Sequence, residues 1–124
     1  MNLVVLSVLL MAILPLLCAG AAKWGFKGYD NKQPRAWLAT QTGFRARANA
    51  AQANSWEALA VFGPAAALAL VRDVPSSTLE PLALLIVITR IAYIGCYLAD
   101  AAFLRSVVWL LGYLLCLALF VLAL

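Results

Sequence analysis

Four apolar stretches dominate the sequence, and each is long enough to cross a lipid bilayer as a helix. They cover residues 3–22, 42–71, 78–99 and 104–124. The hydrocarbon core of a membrane is ~30 Å thick, which about 20 helical residues span. Only 11% of the residues are charged and 66% are hydrophobic, with a mean hydropathy of +0.97. A soluble domain of this length carries about 25% charged residues. We therefore expect an all-α integral membrane protein, a four-helix up-down bundle forming one domain over residues 1–124. The 124 residues leave no room for a soluble domain as well.

The basic residues set the expected orientation. Of nine, six lie between positions 23 and 47: Lys23, Lys27, Lys32, Arg35, Arg45 and Arg47, with Asp30 the only acid among them. Clustered beside apolar spans, they read as a cytoplasmic loop under the positive-inside rule, and the net charge of +4 carries no nucleic-acid signal. Trp24, Phe26, Tyr29 and Trp37 in the same loop suit a membrane interface. Four spans then place both termini outside, in a membrane we expect to be a bacterial inner membrane. No Lys or Arg precedes the first stretch, and 20 apolar residues is long for a signal core, so it reads as a retained span.

Local signals divide the rest. Gly25, Gly28, Asn31 and Pro34 argue against a regular helix throughout residues 23–40. Gly63-Pro64 predicts a bend in the second span. Ser77-x-x-Glu80 suits a capping box opening the third. The short link at 100–103 makes the third and fourth spans antiparallel neighbours. Cys18, Cys96 and Cys116 lie in or beside apolar segments without metal-ligand spacing, and the chain has no histidine, so no metal site is expected.

The polar residues inside the spans need an explanation. Arg47, Asn54 and Glu57 share one stripe of the second span. Glu57 lies about 18 Å above its cytoplasmic edge, and Arg90 about 14 Å from the cytoplasmic end of the third. An ionised side chain at that depth costs at least ~2.5–3.5 kcal/mol unless it is paired or faces water. We therefore expect Glu57 and Arg90 to face each other, in one subunit or across a subunit interface, whether as a register-fixing ion pair or as part of a site. Arg90, Tyr93 and Tyr97, spaced i, i+3, i+7, share a face. Arg105 opens the fourth span, where the helix dipole is already positive. It pairs there either with lipid phosphate or Asp100, or with a bound anion or thiolate, whose charged form arginine and free helix N–H groups favour.

Taken together, Arg47-x6-Asn54-x2-Glu57, Arg90-x2-Tyr93-x3-Tyr97 and Leu104-Arg105-Ser106 resemble the MAPEG family, the membrane-associated proteins in eicosanoid and glutathione metabolism. The Tyr29-Asp30-Asn31-x2-Pro34-Arg35 loop and the RARANAAQANSWEAL segment look most like bacterial members. The likeness runs over nearly the whole chain. It implies a homotrimer of four-helix bundles binding glutathione between subunits near the cytoplasmic face. Arg47, Arg90 and Arg105 would then meet carboxylates, and Glu57 the ammonium group. Asn54, Tyr93 and Tyr97 would meet peptide and carboxylate oxygens, and Arg105 would hold the thiolate as the catalytic residue.

The implied activity is a glutathione-dependent transferase or peroxidase acting on a lipophilic small molecule drawn from the bilayer. Ala50 and Ala58 stand where glutathione-using members carry arginine and tyrosine. They support a second reading, a binding or structural membrane protein of the same family without the chemistry. A third reading, a four-span exporter, would place its membrane glutamate on the first span, which here has no charge.

Overall fold

The computed structural model describes residues 2–25 and 28–124. Phe26 and Lys27, counted above in the loop, lie outside them. Among the described residues there are five helices and no strand: α1 (Leu3–Ala22), α2 (Pro34–Ala39), α3 (Gly43–Val71), α4 (Ser76–Leu98) and α5 (Ala102–Leu122). All but α2 are long and apolar enough to cross a membrane. The loop is thus less irregular than its glycines suggest. Pro34 opens α2 at its first turn, a position where a missing N–H costs nothing and the fixed φ favours the helix.

The long helices alternate in direction. Arg45 on the first turns of α3 donates to the carbonyl of Ala22 at the end of α1. The N–H of Leu3 at the start of α1 meets Glu80 near the start of α4. Arg72 at the end of α3 meets the carbonyls of Ala123 and Leu124 beyond α5. One end of the bundle therefore gathers the close of α1 and α4 with the start of α3 and α5. That end also carries the basic loop, and we call it the basic end.

Small side chains bring α1 and α3 together. The buried positions of α3 are Ala48, Ala51, Ser55, Ala65, Ala66 and Ala69, with Phe62 the one large residue. Such a face lets helix backbones approach closely in lipid, where packing rather than water exclusion drives association. α1 packs more extensively on α3 than on any other helix. The apolar core, with Phe62, Met11, Leu79 and Leu119 fully buried, lies away from the basic end. Leu9, Leu17, Ile88, Leu110 and Leu114 stay exposed on the outside of the bundle, as lipid-facing residues do.

One local expectation is corrected. α4 starts at Ser76 with Pro75 as N-cap and no side-chain cap, so the Ser77–Glu80 box does not form. The Glu80 carboxylate instead accepts from the Leu3 N–H at 3.4 Å, where the positive end of the α1 dipole favours it. α3 continues as helix through Pro64 to Val71. Asp73 (φ 54°) and Asp100 (φ 60°) turn the chain after α3 and α4, in the left-handed region that short polar side chains tolerate.

Candidate functional site

Helix α4 carries Arg90 into the bundle, where it is only 7% exposed. Its Nη1 donates to Asn54 Oδ1 on α3 at 2.8 Å. Asn54 Nδ2 in turn donates to Glu57 Oε2 at 3.0 Å. Within one subunit, Glu57 and Arg90 are therefore linked through Asn54 as a three-part chain. Asn54 lies one turn before Glu57 on α3, nearer the basic end, and its short amide fills the space between the two charges. Its oxygen turns to the cation and its amino group to the anion, the only orientation that satisfies both.

A second chain of contacts runs from Arg90 toward the basic end. The Arg90 guanidinium carbon lies 4.4 Å from the centre of the Tyr93 ring. Tyr93 and Tyr97 meet edge to face, with centroids 5.6 Å apart. The Arg105 guanidinium carbon, from α5, lies 4.3 Å from the Tyr97 ring centre. Two rings thus lie between two cations along the α4–α5 seam. Cation–π attraction is stronger where water is excluded, and Tyr93 is buried to 4% exposure. The i, i+3, i+7 spacing on α4 accounts for three members; the tight turn at Asp100 brings α5 and Arg105 to the fourth place.

Beside Arg90 a cavity of about 170 Å³ opens between the four long helices. Asn54, Glu57 and Arg90 give it a polar side. Val61, Ile86 and Trp109 are among its apolar walls, and Gly112 and Cys116 on α5 also line it. Glu57 is exposed on the side of the single chain. Trp109 and Tyr113, stacked with centroids 5.4 Å apart, are partly exposed at the same cavity. Gly112 is needed for the close approach of α4 and α5: a Cβ there would lie 2.9 Å from Thr89 Oγ1.

Arg47 is placed differently from the rest of its stripe. Its Nε donates to the Leu98 carbonyl at 3.3 Å, closing the C-terminus of α4. Arg45 closes α1 through Ala22 and Trp24, and Arg72 closes α5. Each is a cation at the negative end of a helix dipole, and each meets carbonyls left without intrahelical partners.

Of the residues singled out from the sequence, Asn54, Glu57 and Arg90 come together at the cavity. Arg90, Tyr93, Tyr97 and Arg105 come together along the seam. Arg47 engages the end of α4. Sequence reasoning missed Trp109, Gly112, Tyr113 and Met11 as cavity-lining residues, and read Cys116 only as packing. The i, i+4 spacing of Trp109 and Tyr113, mid-span rather than at an interface, was the available signal.

Comparison with known proteins gives one finding. The model of the MAPEG family matches residues 3–124. No curated protein and no solved structure matches the chain.

Proposed function

This chain belongs to the MAPEG family, and from that premise we propose that it is a glutathione-dependent transferase or peroxidase acting on lipophilic electrophiles. The observation that carries the reading is the seam Arg90–Tyr93–Tyr97–Arg105. It joins a mid-membrane cavity to the uncapped start of α5. Glutathione carries two carboxylates, an ammonium group and a thiol. The residues present fit that set: guanidinium groups for the anionic parts, the Glu57 carboxylate for the ammonium group, and Asn54 and the two phenols for peptide oxygens.

Glutathione supplies the sulfur nucleophile. The chain's own part is to favour the ionised thiol beside Arg105, where the guanidinium and the α5 N-terminus add positive potential. The thiol proton goes to solvent. A new carbon–sulfur bond forms at the electrophile as its leaving group departs with the bonding pair. The bilayer delivers the electrophile, and the apolar walls of the cavity receive it.

We place the protein in a bacterial inner membrane as a homotrimer, with the basic end cytoplasmic and both termini outside. Exposed Glu57 and the Trp109–Tyr113 stack support association, because a carboxylate at that depth facing lipid is costly. A second reading, a binding or structural membrane protein of the family without the chemistry, is favoured by one observation. Arg47 is engaged by the Leu98 carbonyl, and Ala50 and Ala58 add no polar group.

Purified protein in detergent separates the two readings. Measurable glutathione affinity together with conjugation of an apolar electrophile, lost in Arg105→Ala, is the expected result. Binding without conjugation, or no binding at millimolar glutathione, rejects the enzyme and favours the second reading.

A further inference from the structure

A second hollow lies at the basic end, apart from the cavity. It opens between the close of α1 and the start of α3, with a volume of about 550 Å³. Ala21, Trp24, Thr42, Phe44 and Arg45 line it, and none of them lines the mid-membrane cavity. Trp24 is 79% exposed and Phe44 is 46% exposed. Two large rings therefore stand open on the wall of one groove.

Depth places the groove in the headgroup layer. α1 has 20 residues and spans about 30 Å, the thickness of the hydrocarbon core. Its end, with Trp24 just beyond, falls where acyl chains give way to phosphates. Tryptophan favours that level.

Charge decides what the groove attracts. Arg45 is anchored by the Ala22 and Trp24 carbonyls, which fix the guanidinium in place without cancelling its charge. Lys32 and Arg35 are exposed at the same end, and Lys23 lies over the Tyr29 ring. Asp30, the one acid between positions 23 and 47, accepts from the backbone N–H of Lys32.

We propose that this groove binds one anionic phospholipid. Its phosphodiester lies beside Arg45 and Thr42, and its glycerol and upper acyl chain lie between Trp24 and Phe44. A small soluble anion gains nothing from two exposed rings. A zwitterionic lipid brings its own ammonium group against Lys23, Lys32 and Arg35. Each Lys or Arg near an anionic surface changes association by about fivefold, so several together give a clear preference. The proposal is independent of glutathione chemistry.

The test uses the full chain in bilayers of equal parts phosphatidylcholine and phosphatidylglycerol. Native mass spectrometry counts the lipids retained on release. Phosphatidylglycerol is expected in excess. The exposed Lys32→Gln and Arg35→Gln changes should each lower that excess about fivefold, with helix content by circular dichroism unchanged. Trp24→Ala with Phe44→Ala should remove the retained lipid altogether.

Equal retention of the two lipids overturns the proposal. So does an excess that survives loss of both rings, which would mean diffuse charge attraction and no groove site. Displacement by inorganic phosphate at matched concentration would mark a small-anion site instead. Displacement by glutathione would assign the groove to the glutathione site. Either result overturns the lipid assignment.

Discussion

Arg90 and Asn54 meet through a hydrogen bond of 2.8 Å, and through that contact the buried cation is linked to Glu57. Asn54→Leu breaks both links at once and leaves the guanidinium without its one hydrogen-bond partner among the described residues. We predict a loss of about 2 kcal/mol in stability, as for a hydrogen bond to a charged group. Asn54→Asp should keep more of it, because the new carboxylate pairs with Arg90. Thermal unfolding in detergent checks the order; an Asn54→Leu protein as stable as the parent would refute the relay.

Tyr97 serves Arg105 by its ring face, 4.3 Å from the guanidinium carbon. Tyr97→Phe keeps that face and should leave stability near the parent's. Tyr97→Leu removes it and should cost about 0.5–1 kcal/mol. Equal melting temperatures for the two variants would show that the ring does not hold Arg105.

Gly112 and Thr89 set how closely α5 lies on α4. The Cβ of Gly112→Ala would sit 2.9 Å from Thr89 Oγ1, and overpacking of this kind costs about 1–3 kcal/mol. Adding Thr89→Ala removes the obstructing atom, so the pair should be more stable than the sum of the single changes. Strict additivity in the double-mutant cycle would mean that the helices separate freely there.

Ser55 is fully buried on α3 and its hydroxyl has no partner among the described residues. An unmade hydrogen bond in a buried site is a liability. Ser55→Ala removes it and improves helix propensity, so we predict a gain of about 1 kcal/mol. Destabilisation by that change would reveal a partner, such as bound water or a second copy, that needs the hydroxyl.

The spans were legible because apolar length is a one-dimensional property, and Leu3–Ala22 emerges with both ends as read. The Arg90, Tyr93 and Tyr97 face was legible because helical periodicity fixes it. What stayed hidden depended on contacts distant in sequence. Depth arithmetic placed Glu57 and Arg90 at one level, but it could not place the Asn54 amide between them. Arg47 shared a stripe with Asn54, yet its partner is the Leu98 carbonyl, 51 positions away, for which no local pattern exists. Ser77 and Glu80 had the spacing of a capping box, but Glu80 found a donor on α1. Pro34 counted with the glycines of the loop as a helix breaker, and α2, which it opens, was missed.

Arg45 and Arg47 on α3, with Arg72 just past its end, give the chain an order of assembly. When α3 enters the membrane, α1 is already there, and Arg45 can close it at once. The end of α4 waits for its own synthesis before Arg47 can reach Leu98, and the carbonyls beyond α5 meet Arg72 last. α5 is also the span with the smallest buried share. We therefore expect a ribosome-released intermediate with three docked spans and a loose fourth. Single-molecule pulling from the C-terminus should peel α5 away first and let it return, while Arg72→Ala lowers the force of that first step. Simultaneous rupture of all four spans would rule out this sequence of events.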